Sequence, residues 1–209
     1  MLTDKIYRKF ITQTIYTKAL WIIKQIKQIS PKTTPIIMFE EPLLYKAGNL
    51  KRENEEVTHD VIVNMLAKII SKLHDAGARI GIQSFEKCDW SIPIDAGADI
   101  ISFDAYNNPS NLNIIPEKIN EFIVNGGIIN WAIVPVINET IVKTLTIDYI
   151  YDRFIKTIEA LIDSGTSEKY TYNNSTVSIQ GDINHLPLIF AEKALIIANQ
   201  LSKKIPQIN

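Results

Sequence analysis

A repeated turn constrains this chain more than any other feature. Asp75-Ala76-Gly77-Ala78 and Asp95-Ala96-Gly97-Ala98 each stand directly before an apolar run, Arg79–Gln83 and Asp99–Phe103. A glycine placed this way ends a helix, because it enters the left-handed backbone region without a steric cost. A short β-rich run entered from a helix reads as a buried parallel strand. Both runs stop at polar groups, Gln83-Ser84 in the first and Asp104-Ala105-Tyr106 in the second. In parallel α/β sheets chemistry sits beyond the carboxyl ends of the strands. Asp104 is therefore the first residue to weigh for function.

The rest of the chain repeats the alternation. A helix is expected from about Thr3 to Ile29, with Phe10, Ile11, Ile15, Ile22, Ile23, Ile26 and Ile29 inward and Lys24 and Lys27 off that face. Ser30-Pro31 ends it. Ile36–Phe39 is a strand running into Glu40-Glu41-Pro42, and a polar loop follows from Tyr45 to about Val57. Thr58 is placed to cap a helix whose stripe is Val61, Ile62, Met65, Leu66, Ile69, Ile70 and Leu73. Ser91–Ala96 makes a short helix at best. Pro116 suits the first turn of a helix reaching Val124, and Gly126-Gly127 stops it before the strand Ile128–Val134. Asp148–Ser164 is helical with Ile150, Phe154, Ile158 and Leu161 inward; Lys169–Ser175 is polar and turn-like. Val177–Gln180 is a short strand and Leu186–Lys203 the last helix. The expectation is an α/β fold in one domain over residues 1–209: a helix first, then about five parallel strands alternating with helices.

Bulk composition narrows the function classes. The chain has 209 residues, a formal net charge of −1 and 46% hydrophobic residues, enough for a sizeable core. That charge gives no electrostatic footprint for nucleic acid or an anionic membrane, so neither is expected as a partner. A single cysteine excludes an internal disulfide framework and suggests a reducing compartment. No apolar run approaches a membrane span, and MLTDKIYRKF lacks a signal-peptide core, so a cytoplasmic location is the expectation. No GxGxxG, P-loop or GxSxG pattern occurs. Trp90 and Trp131 read as core packing.

The runs CDWSIPIDAGADIISFDAYN, GGIINWAIVPVIN and FEEPLL, in their order and spacing, resemble the barrel shared by cobalamin-independent methionine synthases and uroporphyrinogen decarboxylase-like proteins, and the short methionine-synthase-like proteins above all. The resemblance covers roughly Pro35 to the last helix. It implies a (β/α)8 barrel, a small-molecule substrate, thiol methyl transfer and a zinc ion. Aligned on Asp89-Trp90, it puts Gln83 at the family's histidine ligand, Phe85 at a cysteine ligand, Asp104 at the carboxylate ligand and Gln180, before Gly181, at the last cysteine. Only Asp104 retains a ligand type, so the zinc site is degenerate and no metal ligand set is complete. Asp104 is then the catalytic candidate. Glu40 takes the place of the acid that holds an amino-acid substrate, and Gln83, Tyr106 and Gln180 are the other candidate substrate contacts. The family's catalytic histidine has no counterpart in Val134-Pro135-Val136-Ile137.

Three alternatives accompany that resemblance. Cys88, Asp104 and His185 offer an improvised metal site, while the bland reading of Cys88 is an inert loop thiol. Asp182 and His185 offer an acid/base pair, but such residues more often cap the next helix, as Asn184 or Asp182 would do here. A metal-free reaction of the decarboxylase type lacks a basic cluster for a polycarboxylate. A complete ring takes eight strands. With about five here, the chain reads as the C-terminal part of a barrel, and its open edges leave three outcomes: a complementary N-terminal half, self-association, or a decayed remnant that folds poorly.

Overall fold

The computed structural model describes residues 5–40 and 58–208. In chain order the elements are α1 (Lys5–Ile29), β1 (Ile36–Glu40), α2 (His59–Asp75), β2 (Arg79–Ser84), α3 (Ser91–Asp95), β3 (Ile100–Asp104), α4 (Pro116–Val124), β4 (Ile128–Pro135), α5 (Glu139–Thr144), α6 (Ile147–Asp163), α7 (Glu168–Asn173), β5 (Ser175–Gln180) and α8 (Leu188–Lys204). The five strands hydrogen-bond in the order β1-β2-β3-β4-β5. The fold is α/β, five parallel strands alternating with helices in a partial (β/α)8-like arrangement. Glu41-Pro42 and the expected loop Tyr45–Val57 lie outside the described residues. The chain divides into two compact units, with the boundary inside β3.

The first unit holds α1, β1, α2, β2 as far as Gln83, α3 and the start of β3. Its two Asp-Ala-Gly-Ala turns are the same helix stop made twice. Gly77 and Gly97 have φ of 75° and 87°. Gly77 N–H reaches His74 O at 2.7 Å and Ala78 N–H reaches Leu73 O at 3.2 Å; Gly97 and Ala98 repeat this on Ile94 and Pro93, both at 3.0 Å. That double closure is the Schellman motif, which satisfies carbonyls that the helix end would otherwise orphan. It delivers the chain directly into β2 and β3. β1 and β2 pair in register from Ile36↔Arg79 to Glu40↔Gln83. At Met38↔Gly81 there is no room for a larger residue, since a Cβ on Gly81 would lie 2.1 Å from Met38 Sδ and 3.2 Å from Ile100 Cβ. At the amino ends of the strands, Asp99 Oδ2 accepts the Ile80 N–H and meets His74 Nε2, both at 2.7 Å.

α1 corrects the expected inward stripe. Phe10, Ile15 and Ile29 are exposed, and the buried residues are Ala19 and Ile23. The helix turns its Thr12–Tyr16–Ala19–Ile23–Ile26 side inward, with Lys27 Nζ held by Ala76 O at 2.9 Å. Seven isoleucines and phenylalanines spread over so many helix positions satisfy more than one stripe, and packing against α2 selects the one with a small residue at its centre.

The second unit holds Ser84–Lys87, the rest of β3 and everything after it. Phe103, Trp131 and Phe154 form an edge-to-face chain through its core, with centroids 5.3 Å and 5.9 Å apart. Trp131 is fully buried and its indole N–H donates to Ser175 Oγ at 2.8 Å, so its one polar atom is satisfied. Ile150, Phe154, Ile158 and Leu161 of α6 are all fully buried, as periodicity requires. Two helices are not announced by periodicity. α5 is capped by Asn138, whose Oδ1 accepts Ile141 N–H at 3.0 Å. α7 replaces most of the expected polar turn: Thr171 is fully buried and shares its hydroxyl with Thr166 at 3.0 Å. α8 begins after Pro187, so neither Asp182 nor Asn184 caps it; Asp182 Oδ1 instead accepts Asn184 N–H at 2.9 Å.

Candidate functional site

The carboxyl ends of β3 and β5 meet at Asp104. This side chain ends β3 and is 3% exposed. Oδ1 accepts the backbone N–H groups of Tyr106 at 3.1 Å and Asn107 at 2.8 Å. Oδ2 accepts the side-chain amides of Asn107 at 2.7 Å and Gln180 at 3.1 Å. An ionised carboxylate offers about four lone-pair positions, and four donors occupy them. Asp104 thus closes an Asx-type turn over its own loop and ties the end of β3 to the end of β5. Asn107, which gives two of those four donors, is the residue that the sequence reading missed. Its signal is an Asp followed three residues later by Asn at a strand end, which is turn chemistry rather than catalytic chemistry.

Tyr106 lies in the same turn but belongs to a second group. Its hydroxyl hydrogen-bonds with Tyr149, and together with burial this raises its pKa above the ordinary tyrosine value, while the nearby Arg153 charge pulls the other way. Arg153 stacks on the Tyr106 ring, 4.3 Å from its centroid, and donates to the Tyr106 carbonyl. Tyr149 and Arg153 come from α6, and nothing in the sequence pairs them with Tyr106 in advance. Phe85, on the loop after β2, accepts at its carbonyl from Asn108 Nδ2 at 3.3 Å.

A polar ladder crosses the same unit below Asp104. Asn130 Nδ2 donates to Ser102 Oγ at 2.8 Å and Ser178 Oγ at 2.9 Å, and its Oδ1 accepts from Thr176 Oγ1 at 3.1 Å. Barrel interiors are ordinarily filled by branched apolar side chains. Here one face of β3, β4 and β5 is bridged by small polar groups that satisfy one another. β4 also shifts register between Ala132 and Val134, which offsets Pro135 to pair with Gln180.

In the first unit, Glu40 and Gln83 are register partners at the carboxyl ends of β1 and β2, Glu40 exposed and Gln83 half-buried. The candidates thus fall into two groups: Glu40 with Gln83, and Asp104 with Gln180 and Tyr106. His59 and His74 lie at the two ends of α2; His59 Nε2 meets Ser91 Oγ at 3.1 Å and His74 meets Asp99. Cys88, the single cysteine of the chain, is buried. Asp182 is fully exposed, and hydrogen bonding from Asn184, with His185 nearby, lowers its pKa below the ordinary aspartate value. Among the described residues no three or more His, Cys, Asp or Glu side chains are grouped to hold a metal ion. No described helix is long and apolar enough to cross a membrane.

The fold and this rim define the chain as a parallel β/α protein of the partial-barrel kind. Comparison with protein-family models and with curated protein sequences returned no match.

Proposed function

We propose that this chain is a non-catalytic module of the methionine-synthase-like barrel type, working with a partner that supplies further strands, rather than an active thiol methyltransferase. The filled hydrogen-bond shell of Asp104 carries this reading. The resemblance makes Asp104 the one retained zinc-ligand position, yet its oxygens already hold two backbone and two amide donors. Gln180, at the position of a cysteine ligand, turns N–H groups toward that carboxylate and so presents a donor where a metal needs a lone pair. Phe85 offers only its ring. These residues do not fit zinc. Asp104 holds the rim together; Glu40 and Gln83 would then be remnants of a substrate rim.

The test is metal content and methyl transfer to a thiol acceptor, measured on the full chain purified with zinc in every buffer. We expect far less than one zinc per chain and no turnover. Stoichiometric zinc with transfer that Asp104→Ala abolishes would overturn the proposal. Light scattering tests the partner: a stable monomer with one cooperative melt at high concentration removes the need for added strands.

A further inference from the structure

α1 carries a charge pattern that the bulk composition conceals. It holds six of the chain's 22 lysines and arginines and none of its 23 acidic residues. One side of the helix is committed to the fold: Ala19 and Ile23 are buried, Lys27 is bound to Ala76 O, and Tyr16 lies under Lys72 Nζ at 5.1 Å. Trp21 sits two residues from both Ala19 and Ile23, about 200° around the helix, and so points away from that packing. Phe10 is eleven residues earlier, about three turns, and shares its side. Phe10 is 67% exposed and Trp21 61%, whereas Trp90 and Trp131 are fully buried. Lys18 and Lys24 flank Trp21 at three residues on either side, and Lys9 adjoins Phe10; all three are exposed. Among the described residues, the ion pairs found join Asp60 and Asp95 to His59, Asp99 to His74 and Asp148 to Lys204, and none of these includes Lys9, Lys18 or Lys24.

We infer that the outer side of α1 docks on an anionic phospholipid surface. Aromatic rings among exposed lysines match the boundary of a bilayer, where the rings reach the acyl edge and the ammonium groups stay with the headgroup phosphates. The spacing favours a lipid plane over a protein groove. A groove that grips a helix reads apolar anchors on successive turns, but Gln13, Thr14 and Thr17 separate Phe10 from Trp21. The opposite side of α1 is already packed, so a partner cannot wrap the helix, and a fluid plane needs contact with one sector only. The helix would lie on the surface rather than cross it, in keeping with its basic residues and hydropathy.

The experiment is co-sedimentation of the full chain with vesicles of phosphatidylcholine alone and of phosphatidylcholine with phosphatidylglycerol. Binding to the anionic vesicles only is expected, weakened by salt, with a blue shift of the Trp21 emission obtained by difference from Trp21→Phe. Lys18→Gln and Lys24→Gln are each expected to lower affinity about fivefold, and Phe10→Ala with Trp21→Ala to abolish the shift. These side chains are exposed, so the melting curve of each variant serves as the folding control. Lys203→Gln with Lys204→Gln, on α8, leaves binding unchanged. Equal binding to neutral vesicles, no binding to either, loss with the α8 pair, or capture by polyglutamate but not by vesicles would each overturn the inference.

Discussion

Asp104 shows how much one carboxylate decides when it is buried. Removing it strands two backbone N–H groups and two amides in a nearly dry site, and unsatisfied buried donors are costly. Asp104→Ala should lower stability by about 2–4 kcal/mol in urea titrations. Asp104→Asn should cost nearly as much, because its amide N–H2 would face the donors of Asn107 and Gln180. An unchanged midpoint in both variants would mean that the turn holds without the carboxylate. Tyr172 gives the pH dependence. It is buried, and burial, with Glu159 and Glu168 adding to it, raises its pKa above the ordinary value of 10.0. A raised folded-state pKa means that the unfolded chain ionises first. The stability contribution is therefore full below about pH 10 and is lost as the pH climbs through the folded value. Tyr106 adds in the same direction. The urea midpoint should stay level as this limit is approached and fall beyond it, less steeply in Tyr172→Phe.

At the scale of elements, packing follows the helix stops. The two Schellman turns set where β2 and β3 start, and the glycine on β2 sets how closely Met38 and Ile100 approach. Gly81→Ala should cost about 1–2 kcal/mol, because Met38 can swing aside but Ile100 Cβ, on the strand itself, cannot. Met38→Ala in the same chain should recover part of that loss, which a double-mutant cycle measures as coupling. Simple additivity would show that the two side chains do not compete for space. α6 is held by Phe154 against Trp131, so Phe154→Ala should cost about 3–5 kcal/mol and open a cavity. These elements were legible because each rests on local chemistry: glycine at a left-handed turn, proline at a first helical turn, apolar spacing on one side. α5 and α7 were not, since each is six residues long and owes its helix to an Asn cap or a buried threonine pair. Short helices are marginal by propensity alone and exist where tertiary contacts hold them.

At the scale of the whole molecule, the strand order leaves β1 and β5 at its two ends. On β1, Ile36 and Met38 are 54% and 40% exposed. Among the described residues no strand pairs with the outer side of β1, and an open edge with apolar neighbours invites another chain. Sedimentation velocity should show association rising with concentration, and Ile36→Lys should suppress it; a monomer at every concentration would mean that the edges are protected. The amino-acid sequence by itself determined the class: alternation of strands and helices, the places where helices stop, the cores of α2 and α6, and the fact that polar residues crowd the ends of β2, β3 and β5. These follow from periodicity and turn chemistry, which act over a few residues. Only the tertiary structure decided what the polar residues do. Asp104 meets Gln180, 76 positions away, and Tyr106 meets Arg153, 47 away, because strand pairing and helix packing bring their backbones together. A donor–acceptor match across such a gap has no local signature. The side of α1 that faces out was likewise settled by what α2 presents to it, not by the pattern of its own isoleucines.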